Sequence, residues 1–326
     1  MHIPDGFLSA RVAAGYGVLS LAGVTAACYR VRRNSGGAKS ALLGVSAAFI
    51  FAAQMVNFPV AAGTSGHLVG GALAAALLGL PSALIVMTSV LVVQCFVFGD
   101  GGLLALGANV FNMALVSCVV GFCCYRLLCG RAPSATRRVA AVAFAAWWAT
   151  LAAAASCAEQ LALSHAARPA LVFPAMLGVH ALIGVGEAVI TSLVVASVLR
   201  FRPELFEAED SRRPSSIGAA LARYGLGLAV AVAALLAPLA SAAPDGLSRV
   251  AAVLGFQGRA QAGLSAPLAD YRVPGLGLGV LTTVVAGGLG TLLMFGLCWL
   301  LALALVPRSR RVAEPSTSQV AVESSG

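Results

Sequence analysis

Charge is what this sequence lacks most. Only 10% of its 326 residues are Asp, Glu, Lys or Arg, where a soluble domain carries roughly 25%. Such a chain cannot cover a water-facing surface, so lipid must be its solvent. Lysine is reduced to Lys39, in Gly36-Gly37-Ala38-Lys39-Ser40, where Ala38 stands at the glycine a P-loop requires. That absence excludes ATP hydrolysis by this chain. The eight cysteines (Cys28, Cys95, Cys118, Cys123, Cys124, Cys129, Cys157, Cys298) include no C-x-x-C pair and lie in or beside apolar runs. They imply no disulfide framework and read as small packing hydrophobes rather than metal ligands. The net charge of +9 sits in short loops rather than on a soluble face, which argues against a nucleic-acid partner.

What is present is apolar length. Runs near 12–29, 41–61, 68–98, 103–125, 139–163, 171–199, 222–243 and 276–306 are long enough to cross a bilayer. Basic residues crowd four connections: Arg30, Arg32, Arg33 and Lys39; Arg126, Arg131, Arg137 and Arg138; Arg200, Arg202, Arg212, Arg213 and Arg223; and Arg308, Arg310 and Arg311. The positive-inside rule puts all four in the cytoplasm. Parity then demands an even number of crossings between the first two, although three runs lie there. Run 68–98 is broken by Gly79-Leu80-Pro81-Ser82, and a proline opposes helix continuation, so a reversal there makes two short crossings. The expected fold is an all-α polytopic membrane bundle, about seven spans in the main domain and two in a C-terminal unit. Its N-terminus lies outside and its C-terminus in the cytoplasm. The expected divisions are a membrane domain at 1–200, a charged cytoplasmic linker at 201–223, an accessory unit at 224–306 with an external loop near 244–275, and a disordered tail at 307–326.

The chain opens Met-His-Ile-Pro-Asp-Gly, without the basic and apolar regions of a cleaved signal peptide, so the amine of Met1 is expected to survive. An amine, the amide nitrogen of His2 and its imidazole form a compact chelate. A planar nitrogen set suits Ni(II) or Cu(II), and imidazole also serves cobalt and zinc. The bland alternative is a frayed terminus. A fourth donor is available in His67, in Gly63-Thr64-Ser65-Gly66-His67 on the same side of the membrane. A histidine near a span is a functional candidate, with helix capping or packing as the alternative.

The start MHIPDGFLS, the stretches QMVNFPVAAGTSGHLVGGALAAALLG (54–79) and VQCFVFGDGGLLALGANVFNMAL (93–115), and HALIGVGEAVIT (180–191) resemble the CbiM/NikM family over about residues 1–200. Its members are substrate-binding subunits of energy-coupling-factor transporters for cobalt and nickel. The resemblance implies that the transported Ni(2+) or Co(2+) is held by the amine of Met1, the backbone nitrogen and ring of His2, and the ring of His67. It further implies a bacterial cell-membrane location and, as partners, a transmembrane coupling component and two ABC ATPases. Residues 244–273 resemble the PDGLE-type accessory component often fused behind nickel-type subunits. Ser248 replaces the usual acidic residue after Pro-Asp-Gly-Leu, which weakens any reading of this loop as a carboxylate metal site.

Gln54, Asn57, Ser65, Gln94, Asn109 and His180 are candidates for orienting the ligands or the N-terminal segment, against plain helix-to-helix hydrogen bonding. Asn112 and Glu187 share those apolar surroundings. His180 and Glu187, seven residues apart, lie on one helical face and read as structural. Asp100, in Gly99-Asp100-Gly101-Gly102, reads as a turn residue. Two rival functions are a secondary metal carrier or channel, and a rhomboid-like serine protease using Gly63-Thr64-Ser65-Gly66 with His180. The protease lacks the glycine run before its histidine.

Overall fold

The computed structural model describes residues 1–34, 40–130, 133–207, 216–261, 263, 265–276 and 279–305. Lys39, Arg131, Arg212, Arg213, Arg308, Arg310, Arg311 and the tail at 307–326 lie outside them, as does the stretch 208–215 of the charged linker.

Among the described residues, seven helices are long and apolar enough to cross a membrane. They are α1 (Ala10–Asn34), α4 (Leu80–Phe98), α5 (Leu106–Cys129), α6 (Ala135–Leu163), α7 (Pro169–Phe201), α8 (Ser216–Leu235) and α10 (Gly279–Leu305). Two shorter ones complete the path, α2 (Ser40–Gln54) and α3 (Gly71–Leu78). Between α8 and α10 the connecting loop carries α9 (Gly246–Leu254), capped by the Asp245 side chain on the Ser248 amide.

The break expected at 79–82 falls at Gly79, φ 75°, with Pro81 in the first turn of α4, where its missing N–H costs nothing. The two runs flanking it behave differently from simple spans. Run 41–61 is helical only to Gln54. Residues 55–70 form a loop with a two-stranded antiparallel pair, β1 (Phe58–Pro59) and β2 (Ser65–Gly66). The eight residues of α3 rise about 12 Å, less than half of a ~30 Å hydrocarbon core. Non-helical backbone at such depth survives only when buried in protein, and Thr64 through Ala75 are indeed buried.

α6 lies along α7, and α2 is bracketed by α8 and α10, so the C-terminal helices pack directly on the main bundle. Val18, Leu19 and Leu21 on α1 and Leu289, Leu292 and Leu293 on α10 face outward, the position of lipid-facing side chains. Inside the bundle, Asn112 and Gln160 exchange reciprocal hydrogen bonds of 2.9 and 2.8 Å, satisfying amides that lipid could not.

The first nine residues are not frayed. Met1, Ile3 and Phe7 are each at most 3% exposed, and the segment lies against the 100–105 turn. The Asp5 carboxylate accepts from the amides of Leu103, Leu104 and Ala105 at the start of α5, where a helix N-terminus favours an anion. Gly102 donates to Ile3 O at 2.9 Å. A Cβ at Gly102 would fall 2.1 Å from Asp5 Oδ1, so only glycine lets the two backbones approach. The turn at Gly6 (φ 90°) is equally restricted, because a Cβ there would lie 2.0 Å from Arg259 O.

Candidate metal site

His67 follows β2 and is 8% exposed. Its Nδ1 faces Leu68 O at 2.9 Å. A carbonyl only accepts, so Nδ1 carries the proton and Nε2 presents its lone pair. Nε2 receives a hydrogen bond from the Met1 amine at 2.8 Å. This pairing, a ring nitrogen fixed by a backbone carbonyl on its far side, is the orientation found at metal-ligating histidines. Burial pushes the His67 ring down to about 3, with help from the terminal ammonium and the His2 ring. It is therefore neutral, the metal-binding form.

The His2 ring lies nearly parallel to that of His67, 5.4 Å between centroids. Its Nε2 contacts Gln94 Oε1 at 3.1 Å, and its Nδ1 lies 3.1 Å from Asp100 Oδ1. Burial lowers the pKa of His2, opposed chiefly by the Asp100 carboxylate. Gln94 in turn donates to Gln54 Oε1 at 2.7 Å, and Gln54 donates to Val69 O at 2.7 Å. One amide chain thus ties the His2 ring to the loop that carries His67. Gln94 opens a π-helical turn, Gln94–Phe98, a local widening frequent at functional sites.

Asn109 clamps the backbone beyond His2 from both sides, accepting from Ile3 N at 2.8 Å and donating to Ile3 O at 3.1 Å. Glu187 reaches from α7 to the other ligand loop, taking the Val69 and Gly70 amides on its two oxygens at 2.6 and 2.8 Å. Glu187 therefore supports the loop carrying His67, beyond the helix-to-helix role read from its spacing. Asp100 contacts the His2 ring and accepts from Tyr271 OH at 2.8 Å, so it does more than make a turn.

The remaining candidates sit elsewhere. Ser65 Oγ donates to Ala243 O at 2.7 Å, joining the His67 loop to the C-terminal unit. The Asn57 side chain touches no ligand; its Oδ1 is buried without a partner among the described residues, while its carbonyl accepts from Ser241 N. His180 Nδ1 faces Met176 O, one helical turn back, at 2.8 Å. Its ring backs onto Gly246, where a Cβ would approach within 2.9 Å. Ser65 and His180 are thus each engaged away from the other.

Three acidic or phenolic groups at the site come from sequence that gave no sign of proximity. The Asp245 carboxylate lies 2.9 Å from the Met1 amine. Burial alone would raise its pKa, but the adjacent ammonium holds it well below the usual carboxylate range. Tyr271, stacked on Phe98 at 4.7 Å, and Asp100 complete the set. Burial, then Asp100, push the Tyr271 phenol up. Among the described residues, no three His, Cys, Asp or Glu side chains form a ready metal cluster; the nitrogens that converge include the chain's own terminus.

The chain as a whole is similar to known proteins. The family model described as cobalt uptake substrate-specific transmembrane region (CbiM) covers residues 2–205, and the PDGLE domain covers residues 219–307. An Archaeoglobus fulgidus protein, provisionally named a fused nickel transport protein NikMN, is 37% identical over 91% of this chain and 96% of its own length. The fused nickel transport protein NikMN of Rhodobacter capsulatus is 34% identical over 63% of each chain. The crystal structure of a transition metal transporter, 32% identical, aligns with a TM-score of 0.57 over 66% of this chain and all of that one. A truncated transition metal transporter, 34% identical, gives 0.55 over 61% and 99%. With this fold and residues 2–205 matched, the chain belongs to the CbiM family of cobalt and nickel transport proteins.

Proposed function

We propose that this protein is the substrate-capture subunit of an energy-coupling-factor importer for nickel or cobalt. In this reading the divalent ion is held by the Met1 amine, the His2 amide nitrogen and Nδ1, and His67 Nε2. The observation that carries it is the 2.8 Å separation of the Met1 amine from His67 Nε2. Two nitrogens bound at right angles to one ion at about 2.0 Å lie about 2.8 Å apart. These two groups therefore already have the spacing of neighbouring corners of a square plane. The chelate ring from the His2 amide closes through Nδ1, so metal entry replaces the contact with Asp100.

Capture from outside is supported by α1. Its 25 residues begin at Ala10, close to the site, and end beside Arg30, Arg32 and Arg33. At 1.5 Å per residue the helix is about 37 Å long, a full bilayer between the site and the basic end that the positive-inside rule keeps in the cytoplasm. In this reading, energy comes from separate ATPases and a coupling membrane protein, as the lack of a P-loop in this chain supports.

Titrating the purified protein with nickel and cobalt, wild type beside His2→Ala and beside protein with a blocked amine, tests the ligand set. Loss of a ligand should weaken binding by more than the roughly 10–100-fold typical of an outer-shell change. Unchanged affinity after blocking the amine would defeat the reading. Uptake by this chain in cells without any partner ATPase would favour a secondary carrier instead.

A further inference from the structure

The Met1 amine has two polar partners among the described residues, His67 Nε2 at 2.8 Å and Asp245 Oδ2 at 2.9 Å. Metal capture replaces the first contact by coordination and leaves the second intact. We propose that Asp245, supplied by the C-terminal unit, is a positioning residue for the metal-binding amine, fixing that nitrogen beside His67 and setting a carboxylate against it. This rests on the reading of Met1 as a metal ligand.

The delivery of Asp245 is specific. Residues 243–245 run alongside Ser65, which donates through its amide to Pro244 O at 2.9 Å and through Oγ to Ala243 O at 2.7 Å. That register puts Asp245 beside the loop of His67. One carboxylate oxygen, Oδ1, is held by the Ser248 amide as the cap of α9, which leaves Oδ2 aimed at the amine. Behind it, Gly246 rests on the His180 ring, so the start of α9 has little room to retreat. The same unit reaches the other end of the chelate through Tyr271, whose hydroxyl holds Asp100 against the His2 ring.

Charge bookkeeping explains why a carboxylate belongs there. In the empty site the terminal ammonium and the Asp245 carboxylate cancel. In the loaded site, a divalent ion with one deprotonated amide and three neutral nitrogens carries a single positive charge, which the same carboxylate cancels. A carboxylate beside the amine offsets positive charge that would be costly in a buried place. Asp100 is the more solvated acid, its side chain 30% exposed against 21% for Asp245.

The test is a nickel chloride titration of the full chain in detergent, followed by the visible absorption of the bound ion. It compares wild type with Asp245→Ser, Asp245→Asn and Asp245→Glu. Serine and asparagine are competent N-caps, so they spare α9. Serine is too short to reach the amine, and asparagine reaches it without charge. Serine should weaken nickel by about 10–100-fold and shift the absorption of the remaining complex. Asparagine should fall between serine and wild type, and glutamate should recover part of the loss. Wild-type affinity and spectrum in the serine variant would overturn the proposal; should that variant not fold, wild-type behaviour of the isosteric asparagine variant overturns it equally. Failure of the underlying reading is distinct: there, blocking the amine of the wild-type protein leaves nickel affinity unchanged.

Discussion

His67 and Met1 meet because each has its alternatives used up. The far ring nitrogen of His67 is committed to Leu68 O, and the amine is turned toward the near one by Asp245. Replacing His67 by alanine should therefore remove a preplaced donor and cost more than about 100-fold in nickel affinity, measured by competition with a chelator of known strength. The pH dependence follows from the same chemistry. With the His67 ring pushed down to about 3, and the His2 pKa also lowered by burial, neither ring competes with protons near neutrality. The protons displaced by metal come from the amine and the amide. Affinity should then fall as pH falls, by up to about tenfold per unit for each proton released, hence about 100-fold per unit for two. Calorimetry in buffers of different ionisation enthalpy counts those protons, and a count near four would show that both rings enter protonated. At this scale the sequence was half legible. The pairing of an N-terminal His with His67 was visible in the residues and in the family resemblance. Asp245 was not, because Pro-Asp-Gly reads as an ordinary turn and no local pattern reports a contact 244 positions from its partner.

At the scale of elements, the site depends on stretches that are not regular helix. Hydropathy drew one run across 41–61, yet the helix stops at Gln54, because Asn57-Phe58-Pro59 and the glycines at 63 and 66 favour an extended, turning backbone. Apolar length cannot tell a spanning helix from a buried loop; only the partners of its backbone groups can. Here those partners are side chains of other helices, chiefly Glu187 for the amides of Val69 and Gly70 and Gln54 for Val69 O. Glu187→Gln keeps the shape but leaves one of the two amides facing an NH2 group. With roughly 1 kcal/mol lost with the hydrogen bond and about 1–3 more for a buried donor left unsatisfied, the variant should melt earlier and bind nickel more weakly. Gly102→Ala should act from the opposite side. Its methyl group would collide with Asp5, displace the N-terminal segment and weaken nickel binding although the residue touches no ligand. Normal affinity in that variant would mean that the 100–105 turn does not position His2.

At the scale of the whole molecule, the metal ligands and their supports come from segments far apart in the sequence. Residues 1–5 meet His67, residues 94–109 and Asp245, and Glu187, Ser65 with residues 243–244, and Tyr271 brace those partners in turn. The apolar runs made the bundle readable, since lipid leaves a chain few other ways to satisfy its backbone. They carried no information about how α8 and α10 embrace α2, or that the loop between α8 and α10 would fold α9 over the site. This assembly predicts how metal affects stability. An ion that binds only when all these segments are in place stabilises the fold by mass action, about 2.7 kcal/mol at a free concentration 100 times Kd. For a chain of 326 residues that corresponds to a rise in Tm of roughly 4 °C, at about 1.5 °C per kcal/mol. Because Asp245 and Tyr271 bind the C-terminal unit to the ligand end of the bundle, nickel should move one cooperative transition as a whole. A scan with two transitions, the second shifting with nickel and the first unmoved, would mean that the C-terminal helices melt independently of the site. In that case the contacts of Asp245 and Tyr271 would contribute nothing to holding the metal.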